Sequence, residues 1–114
     1  MLNDVPADAI AVTQETFGPI APVVAVGSLE DAIEQTNAQT YGLMAAIFTA
    51  DLAAGMRYAD SVSMGLVNIN ETTNYWEPHL PWGGRARSQS GIGRVGGRYP
   101  MDTLTELQTV LINT

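Results

Sequence analysis

An α/β fold with a mainly parallel sheet follows from three features of the sequence. Short apolar runs alternate with segments of helical period, in the order strand, helix, strand, helix, strand. The connections between them are short, which argues for right-handed βαβ crossovers with helices packed on the sheet. After the third strand comes a long stretch with no period, and then a last apolar run at the end of the chain. The expected architecture is therefore a βαβαβ unit, a long ordered loop and a C-terminal strand.

The elements follow in order. Residues 1 to 13 carry Pro6 and little pattern, and read as an extended lead-in; Gly18-Pro19 then makes a turn. Ala21 to Val26, an apolar run bounded by Pro and Gly, reads as a buried strand. Ser28 with Asp31 three residues on resembles a capping box, and Leu29, Ala32 and Ile33 give the helix that follows an apolar face. Met44 to Phe48 is a second apolar strand. Asp51 can cap a second helix, along which Leu52, Met56, Ala59 and Val62 recur at helical spacing. Gly55 in its interior costs about 1 kcal/mol relative to Ala. Gly65 to Asn70 is the third strand, Tyr99 to Leu107 a short helix, and Thr109 to Ile112 the final strand. That last strand either joins the same sheet or pairs with another chain, since an exposed apolar edge is a liability alone.

Between the third strand and the short helix, Gly and Pro exclude a regular element, while both tryptophans and the only histidine lie there. A loop this long is usually functional or disordered, and its aromatic content argues for order.

Composition narrows the function. The chain has 114 residues, enough for one core, and a formal charge of -7 from twelve acids and five arginines. With no lysine there is little to meet a phosphate backbone, so no nucleic-acid partner is expected. No apolar run spans a membrane and the N-terminus has no signal-peptide pattern, so a soluble cytoplasmic protein is expected. The cysteine count is zero, which removes disulfides, thiolate metal sites and thiol nucleophiles from this chain. Asn70-Glu71-Thr72 spells a glycosylation sequon and reads as a chance match without a secretory signal.

Several motifs invite chemistry and are better read as structure. Gly91 to Gly96 matches GxGxxG, but Arg85 to Ser90 before it is not a strand and no acid follows about twenty residues on. The glycines read as a tight passage close to other backbone, with Arg94 pairing to a local acid. His79, between Pro78 and Leu80 and near Glu77, lacks a second His or any Cys to complete a metal site, so no metal is expected. Asn70, Glu71 and Asn74 suit turns as well as substrate contacts. Among the serines, none sits on a GxSxG elbow, and a triad would have to borrow His79. Glu15, two residues before Phe17 on a Gly-Pro turn, suits an acid that takes ribose hydroxyls beside a ring that packs a flat heterocycle; on spacing alone a surface acid beside a core Phe fits better.

Several stretches together resemble the NAD(P)-dependent aldehyde dehydrogenases. Gln14-Glu15-Thr16-Phe17-Gly18-Pro19 is similar to that family's E-E-x-F-G-P segment. Gly65 to Asn70, then Pro81-Trp82-Gly83-Gly84, then Ser90-Gly91-Ile92-Gly93-Arg94 resemble its G-x-V-x-x-N, P-F-G-G and S-G-x-G-R succession. Tyr41-Gly42-Leu43 and Phe48-Thr49 fall between them in the family's order. The resemblance implies the C-terminal part of a catalytic domain over residues 1–106 and an oligomerisation strand over 107–114. It implies that Glu15 binds the nicotinamide ribose of NAD or NADP and that Phe17 packs near the nicotinamide. It also implies that Tyr75, Trp76, Glu77 and His79 line the substrate entrance, and that Thr109, Val110, Leu111 and Ile112 join a second copy of this chain or a full-length aldehyde dehydrogenase-like subunit.

The departures matter as much. The family oxidises aldehydes through a cysteine thiolate, and this chain has no cysteine, no general-base glutamate of that kind and no cofactor domain. Gln14 and Trp82 replace the Glu and Phe usual there. Alone, the chain is expected not to turn over an aldehyde. The alternative expectation, prompted by Met1 and the apolar end strand, is a freestanding interaction module derived from the family; a generic acidic α/β domain is the residual one.

Overall fold

The computed structural model describes residues 1–85 and 88–114. Ala86 and Arg87, which the sequence places in the non-strand approach to the glycine pattern, lie outside the described residues. Four elements make the centre: α1 (Leu29–Ala38), β1 (Met44–Ile47), α2 (Leu52–Ser61) and β2 (Leu66–Ile69). The strands pair in parallel, with Met44 opposite Leu66 and Ile47 opposite Ile69. This is the α/β arrangement with parallel strands that the sequence predicts, in a smaller sheet.

Both helices begin where their caps stand. The Ser28 hydroxyl accepts from Asp31 N at 3.1 Å, and Asp31 Oδ2 accepts in return from Gly27 N at 3.2 Å. Asp51 Oδ1 accepts from Ala53 N and Ala54 N, satisfying two donors that the first turn of α2 leaves open. Ala45, Tyr58 and Val62 are the buried apolar residues, and Leu29, Ile33, Ile47, Met64 and Val67 pack around them. The Tyr58 hydroxyl shares a 3.1 Å hydrogen bond with Thr36. Asn37 then ties the two helix ends, donating to Ser61 O and accepting from Ser63 N.

The buried stripe of α2 is not the expected one. Leu52 and Met56 are exposed, and the inward face runs through Gly55, Tyr58 and Val62. Gly55 explains the offset: a Cβ there would lie 3.0 Å from Ile69 Cγ2, so glycine lets α2 settle close on β2. Its propensity cost is traded for packing.

Other expectations fail at the ends of the chain. Ala21 to Val26 is not a buried strand; it meets the lead-in through one bridge, Leu2 to Pro22, and Val23 and Val26 are exposed. A strand is a property of a pair, and only residues 2 to 5 are present to pair with it. The lead-in itself carries a single helical turn, Ile10–Thr13. The short helix α3 (Tyr99–Leu104) ends three residues before Leu107. Thr109 to Ile112 forms no strand among the described residues, and Val110, Leu111 and Ile112 are 70 to 87% exposed.

Size makes the same point. A folded 12.2 kDa monomer should expose about 6,100 Å² and have a radius of gyration near about 13 Å. This chain exposes 8639 Å² and has a radius of gyration of 18.0 Å. Much apolar surface is left uncovered.

Candidate functional site

The two parallel strands end together, and a ligand site in an α/β sheet is usually found at that edge. Asn70 closes the edge. It sits in the left-handed region with φ 59, which asparagine tolerates, and its Oδ1 accepts from Thr49 N at 2.8 Å just past β1. From there the chain enters the long loop, whose tip carries Tyr75, Trp76, Glu77 and His79.

These four residues are brought together. The Tyr75 hydroxyl donates to Glu77 Oε1 at 3.0 Å, and His79 Nδ1 lies 3.4 Å from Glu77 Oε2. Trp76 Nε1 donates to Leu80 O, and Leu80 N donates to Glu77 O, which closes the turn that Pro78 stiffens. The Trp76 and Trp82 rings stack at a tilt, centroids 5.7 Å apart. The Tyr75 phenol is pushed above its ordinary 10.0, first by its hydrogen bond to Glu77, then by the Glu77 charge, desolvation and the charge of Glu71. It therefore stays a donor through the neutral range.

The root of the loop packs on the sheet face opposite the helices. Trp82 Nε1 points at Met44 Sδ, 3.0 Å away, and Trp82 pairs with Val95 in an antiparallel bridge. Arg94 does not pair with an acid, as expected from sequence; its Nη1 donates to Gly65 O at 3.0 Å and Gly83 O at 2.8 Å. A Cβ on Gly65 would sit 1.7 Å from Gly83 O, and one on Gly96 2.1 Å from Leu80 O. Of the glycines in the 91–96 pattern, Gly96 lets backbone pass backbone as expected, whereas Gly93 meets the Thr103 side chain and Gly91 stands in open space.

Glu15 and Phe17 stand apart from this tip. Glu15 lines an open groove of about 610 Å³ with Val12, Tyr41, Met44 and Met64, and Phe17 is 96% exposed. Among the described residues Glu15 accepts no hydrogen bond and meets no cation, so its carboxylate is open to a hydroxyl-bearing ligand. A second cavity of about 240 Å³ lies between Trp82, Ile92, Val95 and Leu104. No group of three metal-ligating side chains gathers among the described residues, and no helix of theirs is long and apolar enough to cross a membrane.

Sequence reasoning missed Asn68 and the true partners of Arg94. The strand pattern of Gly65 to Asn70 gives Asn68 no role of its own. Its Nδ2 instead donates to Thr72 O at 2.7 Å and Tyr75 O at 3.0 Å. Nothing in the sequence places the loop on that side of the strand.

Comparison with known proteins decides the family. The aldehyde dehydrogenase family model matches residues 1–110. The chain belongs to that family. It is 39% identical over 110 residues to the NAD+-dependent benzaldehyde dehydrogenase of Pseudomonas putida, covering 96% of this chain and 22% of that protein. It is 33% identical over 111 residues to the lactaldehyde dehydrogenase of Methanococcus aeolicus, covering 97% and 23%. The NAD+ complex of a Bacillus cereus aldehyde dehydrogenase superposes with a TM-score of 0.87 at 38% identity, covering 97% of this chain and 22% of that one. The chain thus spans less than a quarter of the length of these aldehyde dehydrogenases.

Proposed function

We propose that this chain works as the C-terminal part of an aldehyde dehydrogenase subunit, an oxidoreductase converting an aldehyde to a carboxylic acid with NAD(P)+. Residues 1–106 supply part of the catalytic domain and 107–114 an oligomerisation strand. The observation that carries the reading is the match to about a fifth of an NAD+-complexed relative by a chain that contains no cysteine. In this reading the nucleophile comes from outside the chain.

The residues present fit the nicotinamide half of the cofactor. The open Glu15 carboxylate accepts hydrogen bonds from the ribose hydroxyls, and the bare face of Phe17 packs beside the nicotinamide. When bound, NAD(P)+ accepts the hydride that leaves the aldehyde carbon. Tyr75, Trp76, Glu77 and His79 form the rim through which the aldehyde enters, with the two indoles as its apolar wall.

The test has two arms. Purified chain mixed with NAD+ and benzaldehyde should form no NADH; turnover that Glu15→Gln abolishes would overturn the reading. Co-expressed with the remaining four fifths of the Pseudomonas putida relative, the chain should restore NADH formation, and Glu15→Gln should then raise KM for the cofactor.

The second reading, a freestanding interaction module, is favoured by the exposed run Val110, Leu111 and Ile112. In either reading that run pairs with a second copy of this chain or with a full-length aldehyde dehydrogenase-like subunit. Light scattering decides it: a folded monomer whose mass is unchanged by Leu111→Asp contradicts pairing through this run.

A further inference from the structure

We infer that Asn68 is the positioning residue of the entrance loop, holding the tip to the sheet by donating both side-chain amide hydrogens to the carbonyls of Thr72 and Tyr75. The inference rests on the reading of that loop as the substrate entrance. Asn68 is fixed at its own root, because it stands in β2 directly opposite Ala46 of β1. Its side chain leaves the sheet face opposite the one on which Val67 packs against the core. A primary amide has two donors, and here both are used at 2.7 and 3.0 Å.

Among the described residues, residues 72 to 75 have no other such tie to the sheet; the far side of the tip is held separately, with Gly97 N donating to Pro78 O at 2.9 Å and the Trp76 ring against Trp82. Among the described residues, the remaining hydrogen bonds of residues 72 to 75 stay within the loop: Thr72 N to Glu71, Asn74 N to Thr72 Oγ1, Tyr75 N to Thr72 O and Tyr75 Oη to Glu77. Without the amide, residues 72 to 75 are released from the strand while Glu77 stays beside Pro78, which Gly97 N holds, so the Tyr75–Glu77 bond opens. Asn68 therefore sets where the half-exposed Tyr75 ring stands over the sheet edge, and with it the width of the rim. It touches neither substrate nor cofactor and acts through Tyr75.

The Tyr75 phenol is the reporter, since Glu77 and Glu71 are the charges that face it. In the purified chain, tyrosinate absorbance is followed with pH, and the Tyr75 component is isolated by difference against Tyr75→Phe. Asn68→Leu, of similar volume and without donors, should move that component down toward the ordinary 10.0, in the direction Glu77→Gln moves it. An Asn68→Leu titration identical to that of the parent chain overturns the inference. If the variant fails to fold, NMR on the parent chain decides: cross-relaxation from the Asn68 amide protons to the α-protons of Thr72 and Tyr75 supports it, and its absence overturns it. The entrance reading fails separately, if Tyr75→Ala in the co-expressed enzyme leaves KM for the aldehyde unchanged.

Discussion

Residues 29 to 69 and the two flanks of the chain obey the same chemistry with opposite results. In the centre, two capped helices close on a parallel strand pair, and the buried residues Ala45, Tyr58 and Val62 all come from it. The flanks carry apolar residues too, yet Ile10, Phe17, Leu107 and Leu111 stand between 72 and 106% exposed. The difference is one of partners. A helix satisfies its backbone from within and needs only a surface to lie on, whereas a strand needs another strand on its edge. The centre carries its own partners and the flanks do not, as expected of surfaces shaped to meet other parts of a larger protein.

Substitutions sharpen this contrast. The largest loss should come from Tyr58→Ala, which empties the small core and removes the Thr36 bond; about 3 to 5 kcal/mol is expected in denaturant unfolding. Tyr58→Phe should cost only about 1 kcal/mol, the share of the hydrogen bond. Gly65→Ala should cost about 3 kcal/mol, because the new methyl meets the Gly83 carbonyl rather than a side chain that can turn away. A far smaller effect would show that the loop root yields independently of β2. Asp51→Ala should cost about 1 kcal/mol by opening two amides of α2, read by the same unfolding curves.

A pH series probes the loop tip. The folded-state phenol of Tyr75 is raised, so its contribution is fully present below 10.0 and is lost as pH rises through the higher folded value. The loop should therefore hold through neutral pH and loosen only in strong alkali, seen as a change in tryptophan fluorescence that Tyr75→Phe removes. The smallest effect belongs to the flank: Leu111→Asp should leave chain stability within about 0.5 kcal/mol, since the side chain packs on nothing. That holds for the monomer; a larger loss that grows with chain concentration would mark the pairing proposed for this run.

The same division governs what could be read from the sequence. Met44 to Ile47, Leu66 to Ile69 and the helices capped by Ser28 and Asp51 were legible because caps and short apolar runs are local signals. Ala21 to Val26 and Thr109 to Ile112 had equally good strand composition, but pairing is not written in a single segment. At the candidate site, gathering Tyr75, Trp76, Glu77 and His79 needed only their closeness in sequence. The partners of Arg94 needed the third dimension: a guanidinium with no carboxylate within reach turned to two carbonyls brought together by the crossing at Gly65.

The Arg94 clasp also separates length from shape. Its bond to Gly65 spans 29 residues, and the Ser90 bond to Gly42 spans 48. Closure entropy grows only with the logarithm of the enclosed length, about 0.6 kcal/mol for each doubling. Insertions or deletions beyond Asn70 and before Pro81 are consequently inexpensive so long as the clasp survives. The rim can be rewritten residue by residue while the scaffold beneath it stays the same, which gives the fold room to acquire new preferences without first losing its stability.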